Sequence, residues 1–242
     1  MKILNLGCGT KVCSSDAVIN IDWSIQLRIK RSRFSSILSP IILRGERLDA
    51  FKRLNASNIL VHDLSKGIPF PDDSVDAVYH SHTLEHLDRD VVPKFFMEVK
   101  RVLKDGGVQR IVVPDLERIC IAYCKHLAEC AENPQEVAHH DKYVASLLEQ
   151  SVRKEAYGTS MQRPLRRFIE TALLGDARKR GHTHQWMWDR FNLSHALHEA
   201  GFKDICVTSF TESAIPDWQN YGLDLEGGKE YKPGSLYIEA RK

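Results

Sequence analysis

Short apolar runs alternate with polar connections marked by glycine and proline through the first half of the chain. Ile3 to Leu6 is the first run. Ala17 to Ile21 is the second, ending at Asp22, and Asn58 to His62 is the third, ending at Asp63-Leu64. Val75 to Ser81 follows the breaker-rich loop Lys66 to Asp73, and Val108 to Val113 is stopped by Pro114-Asp115. Runs this short, bounded by turn residues, predict strands. Between the last two, Val92, Phe95, Phe96, Val99, Val102 and Leu103 recur at helical spacing. Asp88 or Asp90 is a candidate cap for that helix, Pro93 sits in its first turn, and Gly106-Gly107 is its candidate end. A weaker helical pattern covers 24–38.

Strand, connection, strand, repeated in this way, predicts a parallel sheet covered on both faces. The pattern then changes. Residues 116–181 hold helical stretches and no convincing strand, which reads as a helical insertion or lid. A helix over about 189–200 closes at Gly201, and Phe202 to Phe210 and Ser235 to Ala240 read as two final strands.

With 242 residues, 43% hydrophobic and 27% charged, the chain suits one compact domain over 1–242 with 116–181 as its insertion. The net charge of +2 is too small to instruct a partner. Arg28, Lys30, Arg31 and Arg33, then Arg163, Arg166 and Arg167, then Arg178, Lys179 and Arg180 cluster locally. They read as solvated helix faces rather than a nucleic-acid surface. No run approaches the ~18 apolar residues of a membrane span, and the apolar start is too short for a signal peptide. The six cysteines form no C-x-x-C pair and read as reduced thiols of a cytoplasmic protein. Cys120 and Cys124 read as small buried hydrophobes of a helix.

Gly7-Cys8-Gly9-Thr10-Lys11-Val12 begins like a dinucleotide loop but has Val12 where the third glycine belongs. That glycine serves the packing of a helix whose N-terminus holds a pyrophosphate. Only seven residues separate Gly9 from Ala17. They can return the chain along a short strand but cannot also build a full helix, so that helix is expected to be absent or one turn long. The spacing counts against NAD, FAD or ATP and less against S-adenosylmethionine, which has no phosphate. S-adenosylmethionine needs a close backbone approach, an acid for its ribose hydroxyls and an apolar slot with one polar contact for adenine. Gly7 and Gly9, Asp22, and Asp63 with Leu64 supply these in order, all at the carboxyl ends of predicted strands.

On these residues the chain resembles the class I S-adenosylmethionine-dependent methyltransferases. Leu4-Asn-Leu-Gly-Cys-Gly9 is similar to their first motif, with Asn5 where most members carry an acid. Asp76 to Leu87 is similar to the fourth motif of the methyltransferase type 11 group, and Leu103 to Gly107 with Ile111 to Pro114 to the region through strand five. Ser81-His-Thr-Leu-Glu-His86 and Val113-Pro-Asp-Leu-Glu117, together with His184 to Trp188 and Ser213 to Pro216, are similar to a bacterial subset associated with glycan and cell-surface polysaccharide genes. The likeness covers 1–115 specifically, 182–242 loosely and 116–181 poorly. It implies a Rossmann-like, doubly wound α/β sheet of seven strands, mostly parallel, with the last antiparallel. It implies S-adenosylmethionine bound by Asn5, Gly7, Cys8, Gly9, Asp22, Asp63, Leu64, His80 and Ser81, and a small-molecule or glycan-like acceptor, methylated on oxygen.

Methyl transfer from a sulfonium is an in-line displacement, and a hydroxyl acceptor calls for a base. Strand alternation puts His80 and His82 on one face and Tyr79 and Ser81 on the other, a pattern expected to break where the strand ends. His82 is the first candidate base, with His86 and Glu85 beside it as further catalytic candidates. His80-x-His82 with Glu85-His86, His139-His140-Asp141 and His182-x-His184 offer metal-ligand types without diagnostic spacing, so no metal is expected. His182 to Trp188 could line an acceptor pocket or fill a gap between lid and sheet, and Arg163, Arg166 and Arg167 could meet an anionic acceptor. Two alternatives remain: a NAD-dependent oxidoreductase, which requires a helix after Gly9 and a parallel last strand, and a non-catalytic protein of the same fold.

Overall fold

The computed structural model describes residues 1–24, 27, 30, 58–150 and 183–242, without the side chains of 149 and 150. Most of the weak helix over 24–38, every residue of the basic clusters except Lys30, and His182 lie outside the described residues. The strands are β1 Ile3–Leu6, β2 Val18–Asp22, β3 Ile59–Val61, β4 Val75–Ser81, β5 Leu103–Pro114, β6 Lys203–Thr208 and the short ribbon pair β7 Leu225–Glu226 and β8 Lys229–Glu230, then β9 Ser235–Arg241. The α-helices are α1 Val92–Val102, α2 Leu116–Glu132, α3 Asp141–Gln150 and α4 Arg190–Glu199.

Seven strands form one sheet in the order β3-β2-β1-β4-β5-β9-β6. The first five are parallel to one another, and β9 runs antiparallel to both β5 and β6. The order reverses at β1 and β4, so the crevice at their carboxyl ends is a topological switch point, where open α/β sheets bind ligands.

Alternation along the strands splits the core in two. Leu4, Leu6, Val78, Ile111 and Val113 pack under α1 and α4 through Phe96, Val99, Leu193 and Leu197. Each such fully buried side chain contributes about 1.5–3 kcal/mol. Ile3, Ala77, Tyr79, Val108 and Val112 face the other way and meet Ile215, Trp218 and Leu223, so the 215–223 stretch covers this face.

Helix α1 departs from its expected ends. Its N-cap is Val91, with no side-chain cap, and neither Asp88 nor Asp90 takes that role. It stops at Val102, because Leu103 is extended and pairs with Val75 of β4. Gly106 and Gly107 therefore lie within β5 rather than at a helix end. In α2 the buried residue is His126, and Cys120 and Cys124 are exposed, not the buried small hydrophobes expected from their spacing.

A row of buried polar residues crosses the sheet. Asn20 pairs with Asn5, Asn5 with Tyr79, Tyr79 with Arg110 and Arg110 with Glu239. Burial of polar groups is tolerated only where partners are supplied. Asn5 Nδ2 donates to Asn20 Oδ1 at 3.0 Å and to Lys11 O at 2.9 Å. Tyr79 Oη donates to Asp224 Oδ1 at 2.7 Å. Arg110, fully buried, donates to Asp224, Glu239 and the carbonyls of Ser209 and Glu212. The row thus fastens the 209–224 stretch to the sheet.

Candidate active site

No helix lies between β1 and β2. Asn20 does the work that helix hydrogen bonds would do. Its Oδ1 accepts from Cys13 N at 3.1 Å and its Nδ2 donates to Cys13 O at 2.8 Å. With Asn5 holding Lys11 O, the middle of the crossover is pinned at Lys11 and Cys13. Gly7 and Gly9 adopt φ of +64° and +52°, where side chains are strained. A Cβ on Gly9 would meet no atom within 4 Å, so this stretch of backbone faces open space. Gly9 N donates to Asp22 Oδ2 at 2.8 Å, and Ser24 N donates to Asp22 Oδ1 at 2.5 Å. The acid at the end of β2 is thereby latched to the glycine loop.

A cleft of about 200 Å³ opens there. Asn5, Gly7, Cys8, Gly9, Ser81 and His82, all expected at the site, line it together with Thr10, Lys11, Tyr79, Tyr231 and Lys232. Asp22 stands behind its floor through Gly9. Asp63 and Leu64 lie at the end of β3, where the Asp63 carboxylate caps its own short turn through Ser65 N and Oγ. Burial raises the Asp63 carboxyl, but those two bonds outweigh it and hold it below the usual carboxylate range.

Strand alternation places Tyr79, not His80, on the cleft side. His80 is fully buried on the opposite face, edge-on to Phe95 at 5.2 Å, with Gln109 Nε2 at 3.2 Å from its Nε2. Desolvation pushes its imidazole down to about 4. His82 does not share its face, because it follows the last strand residue with φ +49°, in the left-handed region. That turn swings the His82 ring into the cleft, the kind of backbone strain that functional sites store.

His82 is held from both sides. Its Nε2 lies 2.9 Å from Ser235 Oγ and its Nδ1 lies 3.3 Å from Glu85 Oε1. Glu85 is buried, and neither carboxylate oxygen has a well-formed hydrogen bond. Burial raises its carboxyl, but His82, in contact, and the nearby His86 outweigh that and hold it below the ordinary range. His86 Nδ1 donates to Thr183 O at 3.2 Å, and its ring meets that of His184 at 4.9 Å. Burial lowers the His86 imidazole, partly offset by Glu85. Gln185 N and Trp186 N both donate to Glu85 O, which seats the 183–188 segment on this corner. Within that segment Trp188 is core, whereas Trp186 is half-buried with the Arg89 guanidinium 4.3 Å over its ring.

Sequence reasoning missed Ser235, Tyr79, Tyr231 and Lys232. Ser235 opens β9 after Gly234, and no local signal ties it to a histidine 153 positions away. Lys11 shows how the C-terminal part closes the cleft, since its Nζ donates to Leu225 O at 2.6 Å and lies 4.3 Å over the Tyr231 ring.

A phosphate-free cofactor fits this geometry. The glycine loop offers backbone rather than a helix N-terminus, open space stands beside Gly9, and an acid adjoins the loop. Residues 40–111 match the family model of a methyltransferase domain. The matched stretch includes β3, β4 and α1 and runs into β5. The match supports an enzyme with S-adenosylmethionine as its cofactor. No curated protein matches the chain. Among solved structures, it is similar to an S-adenosylmethionine-dependent methyltransferase from Archaeoglobus fulgidus, at 15% identity over 100% of this chain and 86% of that one, with a TM-score of 0.46. It is similar to one from Methanosarcina mazei at 17% identity, covering 100% and 92%, with a TM-score of 0.46. A third, from Mesorhizobium loti, is 18% identical, with coverage of 100% and 90% and a TM-score of 0.43. Among the described residues no helix is long and apolar enough to cross a membrane.

Proposed function

We propose that the chain methylates an oxygen of a small or glycan-like acceptor, using S-adenosylmethionine. The observation that carries this reading is one cleft lined by Gly7 to Gly9 and His82, with Asp22 latched behind the loop and Ser235 and Glu85 on either side of the His82 ring. Gly7, Cys8, Gly9 and Asn5 would hold the amino-acid end of the cofactor, Asp22 the ribose hydroxyls, and Asp63 with Leu64 the adenine end. When bound, the cofactor supplies a methyl carbon activated by a sulfonium.

The protein must then align the acceptor oxygen and take its proton. Neutral His82 with its Nδ1–H toward Glu85 leaves a lone pair on Nε2, facing Ser235 Oγ. The acceptor proton would pass to Ser235 Oγ while the Ser235 proton moves to His82 Nε2, 2.9 Å away. Glu85 balances the resulting imidazolium. His86 braces Glu85 from the other side and acts by positioning. Half-buried Trp186 and His184, beside His86, offer the mix of ring faces and polar edges that suits a sugar.

The nicotinamide alternative required a helix after Gly9 and a parallel last strand. Residues 10–17 hold no helix, and β9 is antiparallel to both neighbours. Calorimetric titration with S-adenosylmethionine, its demethylated product and NAD tests the cofactor. Transfer of labelled methyl to a panel of hydroxylated sugars and small alcohols tests the reaction. Expected are binding of the first two, weaker binding in Asp22→Ala, and turnover lowered about 10²- to 10⁴-fold in His82→Ala. Silence with S-adenosylmethionine overturns the cofactor assignment. Binding without turnover across the panel favours the non-catalytic alternative. Full turnover by His82→Ala from pH ~6 to ~9 overturns the base.

A further inference from the structure

Helix α2 and the start of α3 meet around polar rings rather than an apolar core. The buried side chain of α2 is His126, 3% exposed. Tyr143 of α3 lies parallel to it, with ring centroids 4.0 Å apart, and Tyr123 leans on His140 at 5.4 Å. Inside this cluster three atoms of metal-ligand type converge within hydrogen-bond distance of one another. His126 Nδ1 is 3.1 Å from His140 Nδ1, Cys130 Sγ is 3.4 Å from the former and 3.9 Å from the latter.

Those separations have a chemical meaning. A tetrahedral zinc ion with Zn–N of about 2.0–2.1 Å and Zn–S of about 2.3 Å puts two ring nitrogens about 3.3 Å apart and a nitrogen and sulfur about 3.5 Å apart. The three observed distances bracket these values. His126 and Cys130 are four apart on a helix, so they share a face, and His140 returns to that face after the Pro134–His139 turn. The remote nitrogen of His126 adds a second, independent sign. It is buried, has no hydrogen-bond partner, and lies 3.7 Å from Glu136 Oε2. Zinc-ligating imidazoles characteristically present their other N–H to a carboxylate.

We propose that His126, Cys130 and His140 bind one zinc ion, with water in the fourth position. Zinc replaces the thiol proton, which leaves to solvent, and the sulfur binds as thiolate. The ion clips α2 to the start of α3, where apolar packing is thin. It stabilises the insertion and is separate from the His82–Glu85 corner.

The test uses the full chain, stripped with a chelator and titrated with cobalt(II) and then zinc(II). One equivalent of cobalt should bind with a thiolate-to-cobalt charge-transfer band, and zinc should displace it. Cys130→Ser should abolish the band. His126→Ala and His140→Ala should each weaken binding by more than about 100-fold, and Glu136→Gln by about 10- to 100-fold. Circular dichroism of each variant checks that it folds. The cobalt spectrum of the unaltered chain needs no variant at all. No stoichiometric metal in that chain, or a band that survives Cys130→Ser, overturns the site and leaves a hydrogen-bonded histidine–cysteine cluster.

Discussion

A Cβ on Gly7 would stand 2.6 Å from Oγ1 of Thr83, the residue that follows His82. The glycine loop and the base candidate are therefore packed against each other, and φ of +64° at Gly7 adds strain to any side chain there. Gly7→Ala should lose about 1–3 kcal/mol in urea denaturation. The double variant with Thr83→Ala should regain part of that loss. Equal losses in the single and double variants would mean the backbone angle alone sets the penalty.

Both neighbours of the Asn5 amide nitrogen demand a donor. Asn5→Asp would set a carboxylate against Lys11 O and Asn20 Oδ1. The expected loss is about 1–3 kcal/mol, since buried acceptors are left facing one another. An unchanged urea midpoint would show that the amide does not anchor the crossover.

Arg110 balances two buried carboxylates, Asp224 and Glu239. Arg110→Met should destabilise by about 3–5 kcal/mol, because it strands both charges. Replacing Asp224 and Glu239 by apolar residues in the same chain should recover only part of it, because Tyr79 Oη, Trp218 Nε1, Ser213 Oγ and Ala214 N then lose their acceptors. Chemical denaturation of the single and triple variants measures this.

His80 gives a pH signature. Its folded value is lowered from 6.5 to about 4 by burial. Between those values the unfolded chain takes up a proton that the folded chain refuses, so stability is full above pH 6.5 and falls as pH drops toward 4. The loss accrues at about 1.4 kcal/mol per pH unit at most. His86 acts in the same direction. His80→Phe should flatten that acid limb when unfolding free energy is followed against pH. An identical slope would assign the limb to other groups.

What was legible came from short-range pattern. The runs Ile3 to Leu6 and Val75 to Ser81 coincide with β1 and β4, because Gly7 stops the first and the Pro71 to Asp73 loop precedes the second. The gap between Gly9 and Ala17 left room for one helical turn at most, and the crossover holds none. The end of α1 was not legible, since pairing of Leu103 with Val75 is a tertiary event that overrides a glycine pair. Nor was Ser235 beside His82, or the reversal of His80, which needs the left-handed turn at His82 to be known. The insertion misled most. Its cysteines suggested burial, whereas its local centre is built from histidine and tyrosine.

The bond from Lys11 to Leu225 spans 214 positions, and β9 slots between β5 and β6. A ribosome that has delivered the glycine loop, the Asp22 latch and the first five strands has not yet made a cleft. Tyr231, Lys232 and Ser235 arrive last, and with them one wall of the pocket and the partner of His82 Nε2. A chain that stops short of them carries the recognisable motif without that wall and without that partner.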